Sequence, residues 1–449
     1  MTASFARRAL LKGVFAVTAL LFAVVEAAPA RAVTVERVVS PGGIEAWLVR
    51  DSTNPILSLR LAFRGGAALD PAGKEGLARM TADLLVQGAG DMDSKTFLGT
   101  LEDLAIALSF DAAFDSVGGT LRTLTEHRDT AFRLLRLALT QPRFDDDALA
   151  RVRSQILAGL RRDTEDPETT AQITLFATLF PGHPYGRRSR GTLESIPTIT
   201  AADLRAFVKG RFARDNLLIG VAGDIEAKEL GRLLDATFAE LPAKAAPWQV
   251  PETTPVLAER TIVVQKPVPQ SAIVFAGPGL KRDDTDFYAA YVLNHILGGG
   301  GFTSRLYQEV RERRGLAYSA GSHLLTLAHS AFLQGGASTV NARVAETIAV
   351  MRDQWHRLAK TGVTPAELAD AKTYLTGSFP LRFNSTGSIA SILVAMQIDR
   401  LGIDFLDRRN GYIEAVTLDD VNRIAKRLFH PDRLLMVVVG DPKGVASTN

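Results

Sequence analysis

The groups able to do chemistry in this chain of 449 residues are few and scattered. Cysteine is absent, which removes thiolate nucleophiles, disulfides and cysteine zinc sites. The seven histidines are His127, His183, His295, His323, His329, His356 and His430. No two stand at i, i+3 or i, i+4, the spacing that puts two imidazoles on one helix face for a metal. His183 falls in a Gly/Pro turn and His295 in an apolar run, where a capping or a core histidine is expected. No Gly-x-Ser-x-Gly elbow is present for a serine hydrolase. The glycines at 298–301 lack the Lys-Ser/Thr of a phosphate loop and read as a flexible hinge before Ser304. Arg311 and Tyr318 are set apart by the resemblance described below. A helix over 304–313 that ends at Gly315, followed by a strand from about Leu316, lets a turn bring them side by side. A guanidinium and a phenol so placed are donors that can hold a carbonyl and stabilise an oxyanion. The same two residues also suit a helix-end arginine offsetting the helix dipole and a half-buried strand tyrosine.

The elements that must position them come in two copies. Residues 199–224 align with 416–441 at a constant offset of 217, and ten of the 26 positions are identical. In each copy a threonine (Thr200, Thr417) caps an amphipathic helix, an aromatic and an aspartate mark a turn, and an apolar run ends in Gly-Asp. Each half also opens with an alternating strand pair, 44–49 with 57–63 and 261–264 with 272–276. A helix follows at 75–87 and at 286–297. A long helical middle spans 121–180 and 344–374. Strands recur among helices without regular βαβ alternation, which points to an α+β fold of two tandem homologous domains, each an antiparallel-rich sheet with helices on one face. The expected limits are 33–240 and 259–449. A linker over 241–258 carries Pro242, Pro247, Pro251 and Pro255.

The first 32 residues read as an export signal, with Arg7, Arg8 and Lys12, an apolar run from Gly13 to Val25 and the small-x-small site Ala30-Arg31-Ala32. The run is short of the roughly 20 residues that span a bilayer. A Sec or twin-arginine route to the periplasm and a mature start at Val33 follow, with no stable membrane insertion after cleavage. The remaining chain carries 48 basic and 48 acidic residues, and this balance argues against nucleic acid as a partner.

The order of motifs resembles the pitrilysin/insulinase family of zinc peptidases, the inverted zincins. The marks are Gly76-Leu77-Ala78 opening a helix, Gly182-His183-Pro184-Tyr185-Gly186, both Gly-Asp strand ends, and Ser304-Arg305-Leu306 through Arg311 to Gly315-Leu316-Ala317-Tyr318. In active members the first helix carries H-x-x-E-H, two zinc ligands and a general base. Here Arg79, Ala82 and Asp83 stand at those positions, and Gly159 stands where the family's third ligand, a glutamate, is due. Arg79 and Asp83 can pair at i, i+4, an interaction worth about 0.2–0.5 kcal/mol if exposed. Nearby Gln155 is a poor ligand, and Glu165 is expected beyond the helix end.

The resemblance therefore implies a chain that binds no metal and has no activity alone. Arg311 and Tyr318 match the pair that faces the zinc. The implied function is that of the zinc-less subunit of a heterodimeric metalloendopeptidase acting on peptides, with the zinc held by a homologous partner. A non-catalytic peptide-binding or assembly scaffold is the alternative.

Overall fold

Alternating apolar residues build two sheets of one design. In the computed structural model, which describes residues 33–448, the first half supplies β1 (Glu36–Val39), β2 (Glu45–Arg50), β3 (Ile56–Arg64), β4 (Ala107–Ala112), β5 (Ser116–Leu124) and β6 (Leu217–Gly223), ordered β1-β2-β6-β3-β5-β4. The second half supplies β7 (Arg260–Gln265), β8 (Gln270–Pro278), β9 (Ala317–Leu327), β10 (Ser330–Val340) and β11 (Leu435–Gly440), ordered β7-β11-β8-β10-β9. Without β1 the two orders match strand for strand. Each sheet has one parallel pair, β2 with β6 and β7 with β11, among antiparallel neighbours. The α+β class with two sheet-and-helix regions is thus observed. The expected export signal lies outside the described residues.

Helices cover one face of each sheet. In the first half these are α1 (Leu77–Leu84), α2 (Ser94–Asp103), α3 (Arg128–Thr140), α4 (Asp146–Glu165), α6 (Ala201–Arg211) and α7 (Ala227–Phe238), with α5 (Pro167–Leu179) lying elsewhere. They share a core with Leu57, Leu59, Leu61 and Phe63, every second residue of β3. In the second half α8 (Phe287–Asn294), α9 (Val344–Thr361), α10 (Pro365–Gly377), α12 (Phe405–Glu414) and α13 (Leu418–Leu428) do the same, with α11 (Thr386–Ile398) set apart. The repeat is exact at the caps. Thr200 with Asp203 and Thr417 with Asp420 form capping boxes at the starts of α6 and α13.

The two helices set apart are exchanged. Helix α5 of the first half lies on the second sheet, where Ala171, Leu175 and Leu179 pack against Val274, Val437 and Phe332. Helix α11 of the second half lies on β3 and β6 of the first sheet. There Gly220 permits the approach, because a Cβ on it would come within 2.5 Å of the Ala390 carbonyl oxygen and 2.8 Å of Leu393 Cβ. Polar contacts complete that second seat. The Ser58 and Thr386 hydroxyls lie 2.8 Å apart, and the Gln397 side-chain amide donates to the Ile219 carbonyl at 2.9 Å. Helix α11 is apolar around much of its circumference, while α5 buries one stripe, Ala171, Leu175 and Leu179, against the foreign sheet.

Three local expectations are corrected. Residues 121–124 are strand, since Leu121 and Thr123 are buried while Arg122 between them is exposed and the segment completes β5. Helix α4 runs on to Glu165, so Glu165 is its last residue and does not lie beyond its end. The helices expected over 286–297 and 304–313 break into π-turns, His295–Gly299 and Gln308–Glu312. Glycines 298 to 300 are no loose hinge. A Cβ on Gly298 would sit 2.5 Å from the Ser322 backbone nitrogen on β9, and one on Gly300 would sit 2.8 Å from the His295 carbonyl oxygen.

Candidate functional site

Helix α1 is held from both ends of its first turn. Gly76 has φ 93°, and a Cβ there would press on Ile196 Cδ1 at 2.7 Å and on Gly191 Cα at 2.9 Å. Asp70, 3% exposed, accepts hydrogen bonds from the backbone N–H of Gly76 at 2.9 Å and of Ala78 at 3.0 Å. It thereby serves the open donors of the helix start from a position outside the helix. Burial pushes its carboxyl up to about 7, against the pull of those backbone donors and of Arg187. Leu77, Ala78, Met80, Ala82 and Leu84 face the core, which leaves Arg79 and Asp83 on the outer stripe. Arg79 Nε lies 2.8 Å from Asp83 Oδ2.

A cavity of about 380 Å³ opens over that stripe and brings together residues far apart in sequence. Its walls include Arg79 and Asp83 from α1, Gln155, Gly159 and Arg162 from α4, and Arg190. The structure therefore gathers Arg79, Asp83 and Gly159 at one place, while Ala82 points into the core and is fully buried. Glu165 is not among the lining residues. This donor set does not fit zinc. Asp83 is the one carboxylate lining the cavity, it is already paired with Arg79, and three guanidiniums oppose a cation. Among the described residues no cluster of three or more His, Cys, Asp or Glu is placed to hold a metal ion.

The histidines have other work. His183 accepts from the Tyr185 backbone N–H at 3.1 Å and contacts the Pro251 carbonyl at 3.0 Å. Tyr185, fully buried, donates to Asp115 at 2.6 Å and accepts from the His329 backbone N–H at 3.1 Å, so this turn ties the first half to the β9–β10 hairpin. His295 stacks on Tyr374 with ring centroids 5.1 Å apart, and burial lowers its pKa.

In the second half, the segment carrying Arg311 is anchored by Arg305. Its guanidinium grips Glu367 through two hydrogen bonds of 2.7 and 2.8 Å and reaches the Gly362 carbonyl at 3.0 Å. Burial would raise the Glu367 carboxyl, but Arg305 and Thr364 hold it at about 2. Glu309, also buried, pairs with Arg313 and Arg314. Gly315, with φ 56°, turns the chain into β9. Arg311 Cζ then lies 4.8 Å from the ring centroid of Tyr318, 4.8 Å from that of Tyr307 and 5.8 Å from that of Phe302. The two residues do meet, though as a cation over an aromatic face and without a hydrogen bond between them. Tyr318 is 83% exposed, far more than a half-buried strand tyrosine.

Sequence reasoning missed Asp70, Arg162, Arg190 and the rings of Phe302 and Tyr307. Arg162 had a local signal, since i+3 from Gly159 puts it on the same helix face. Asp70 and Arg190 come from loops, and their neighbours are set by tertiary structure alone.

Fold and site together define a metallopeptidase-like scaffold whose ligand positions hold no ligand set. The model for "Peptidase M16 inactive domain" matches residues 198–375. The chain is 30% identical over 394 residues to the "non-peptidase homolog YmxG" of Helicobacter pylori, covering 87% of this chain and 90% of that one. It is 28% identical over 343 residues to an "uncharacterized zinc protease" of Streptomyces coelicolor, covering 71% and 74%. A crystal structure of a peptidase M16 inactive domain from Pseudomonas fluorescens superposes with a TM-score of 0.84 at 29% identity, covering 92% and 99%. The chain belongs to the pitrilysin/insulinase (M16) family, as a member that lacks the family's catalytic motif at Arg79, Ala82 and Asp83.

Proposed function

We propose that this chain is the exported, zinc-less subunit of a heterodimeric metalloendopeptidase. It would pair in the periplasm with a zinc-bearing homologue of similar length and supply Arg311 and Tyr318 to the substrate carbonyl. The carrying observation is the exposure of Tyr318. A phenol at 83% exposure beside a guanidinium, on a segment anchored by the Arg305–Glu367 pair, is a donor held ready for a ligand from outside the chain. The vestigial cavity adds support, because a chain whose described residues gather no metal-ligand set would take part in metal-assisted hydrolysis through a partner's metal.

Mixing the purified chain with an exported H-x-x-E-H homologue tests this. The expected result is peptidase activity on mixing, none from this chain alone, substoichiometric zinc in the isolated chain, and a mature terminus at Val33. One tightly held zinc per isolated chain, with activity lost on chelation, overturns it.

One observation favours the scaffold alternative. Three aromatic rings and the Glu312 carboxylate, 3.7 Å from its Nε, satisfy the Arg311 cation within the chain, which a purely structural arginine would also show. The description of the Helicobacter pylori relative as a non-peptidase homolog agrees with either role.

A further inference from the structure

The cavity at the former ligand positions carries the opposite charge from a metal site. Arg79, Arg162 and Arg190 line it with Asp83. Asp83 is engaged by Arg79, and Asp163 balances Arg190 at 3.0 Å. Arg162 is left with neither an ion pair nor a side-chain hydrogen bond among the described residues, although its neighbours in the cavity are paired. Its guanidinium lies over Gly159. A Cβ on that glycine would meet a single neighbour within 4 Å, Arg162 Nη2 at 3.9 Å. The space beside Gly159 is therefore open, with the unpaired and solvent-exposed Arg162 guanidinium at its edge.

One uncompensated positive charge suits a monoanion. A planar guanidinium matches a carboxylate with two parallel hydrogen bonds. A dianion such as phosphate would bring a second negative charge toward Asp83, and among the described residues lining this cavity Arg162 is the one cation without a partner. Gln155, on the same wall, offers an amide donor. Arg190 also lines an adjoining groove of about 420 Å³, where Phe114, Ile173 and Phe176 offer apolar surface to the residues that would precede or follow such a carboxylate, beside the acidic Asp163, Asp166 and Glu168 and the basic Arg187 and Arg188.

We propose that the vestigial cavity binds one carboxylate of a peptide, either its C-terminal group or an Asp or Glu side chain, with Arg162 as the principal partner. The proposal rests on the reading of this chain as a peptide-handling subunit for the ligand being a peptide, and on the cavity alone for the carboxylate.

Calorimetric titration of the full mature chain, without any partner, tests it with three acetylated octapeptides of otherwise equal sequence. One has a free C-terminus and no acidic side chain, one is its C-terminal amide, and one is the amide with a single Glu. At low salt the carboxylate-bearing peptides are expected to bind at least about tenfold more tightly than the plain amide, as loss of a charge-assisted bidentate pair implies. The better of the two identifies the source of the carboxylate. Gly159→Glu fills the space with a tethered carboxylate and favours the helix, so it is expected to abolish the discrimination while the fold persists. Arg162→Gln is expected to do the same. Equal binding of all three peptides, no binding of any, discrimination that survives both variants, or displacement by inorganic phosphate more readily than by acetate overturns the proposal. No measurement here needs the zinc-bearing subunit, so failure of peptidase activity to appear on mixing would leave the result standing.

Discussion

The outer stripe of α1 and the segment around Arg311 face the same question with opposite answers. On α1 the polar residues are satisfied within the chain, Arg79 by Asp83 and the helix start by Asp70. Around Arg311 the anchoring residues Arg305, half-buried, and Glu309, buried, are both paired, yet Tyr318 is left exposed to solvent. The difference teaches where chemistry can be lost cheaply. A fold is kept by its buried faces, so the residues at 79 and 83 could change while Leu77, Met80 and Leu84 preserved the helix. An exposed phenol contributes little of that kind, and under the function proposed above its use is to meet a ligand from outside the chain.

The largest effect expected from breaking this contrast is kinetic. In an assembled complex with the zinc-bearing homologue, Tyr318→Phe is expected to lower kcat by about 100- to 1000-fold, or ~2.7–4 kcal/mol, the usual cost of one oxyanion donor. A wild-type rate from that variant, in a complex shown to be intact, would place Tyr318 with Arg79 as chemically idle and favour the scaffold.

Next comes the support of α1. Asp70→Ala strands two backbone donors and is expected to cost about 1–3 kcal/mol by urea unfolding. A carboxyl at about 7 in the folded chain, against an ordinary value of 3.8, binds its proton more tightly when folded. Its contribution is therefore greatest below about pH 4, falls as the pH rises to about 7 and is flat beyond. Asp70→Asn is expected to flatten that slope.

Smaller still, Gly159→Ala replaces a mid-helix glycine and meets no close atom, so a gain of about 1 kcal/mol is expected. In a chain of this size that is a rise in Tm of only about 1 °C. Smallest is Arg79→Ala, where loss of a half-exposed i, i+4 pair is expected to change stability by no more than about 0.5 kcal/mol. A loss of several kcal/mol would show that α1 needs its outer stripe.

Much of this was legible in the sequence because it is local or repeated. The capping boxes at Thr200 and Thr417 and the Gly-Asp ends of β6 and β11 announced the duplication. The spacing that the family resemblance implies led to Gly159, and Gly159 and Asp83 line one cavity. What escaped was set by tertiary contact. The strand at 121–124 was absorbed into a helical run because its leucines fit either period, and only pairing with β3 and β4 decides between them. The π-turns and the tight packing of Gly298 depend on β9. The stacking of Arg311 on three rings depends on a turn whose shape R-x6-Y spacing does not specify.

The exchange of α5 and α11 bears on how the chain is made. Synthesis runs from the N-terminus, so α5 emerges before any strand of the second sheet exists to receive it. The first sheet in turn waits about 160 residues for α11 to cover Ser58 and Gly220. A half-finished chain thus displays Ala171, Leu175 and Leu179 with nothing to bury them. Such an intermediate is prone to aggregate and benefits from a holding chaperone until the last third of the chain arrives. Once closed, the two halves clasp each other, and a single proteolytic cut within 245–258, which carry neither helix nor strand, would leave them joined.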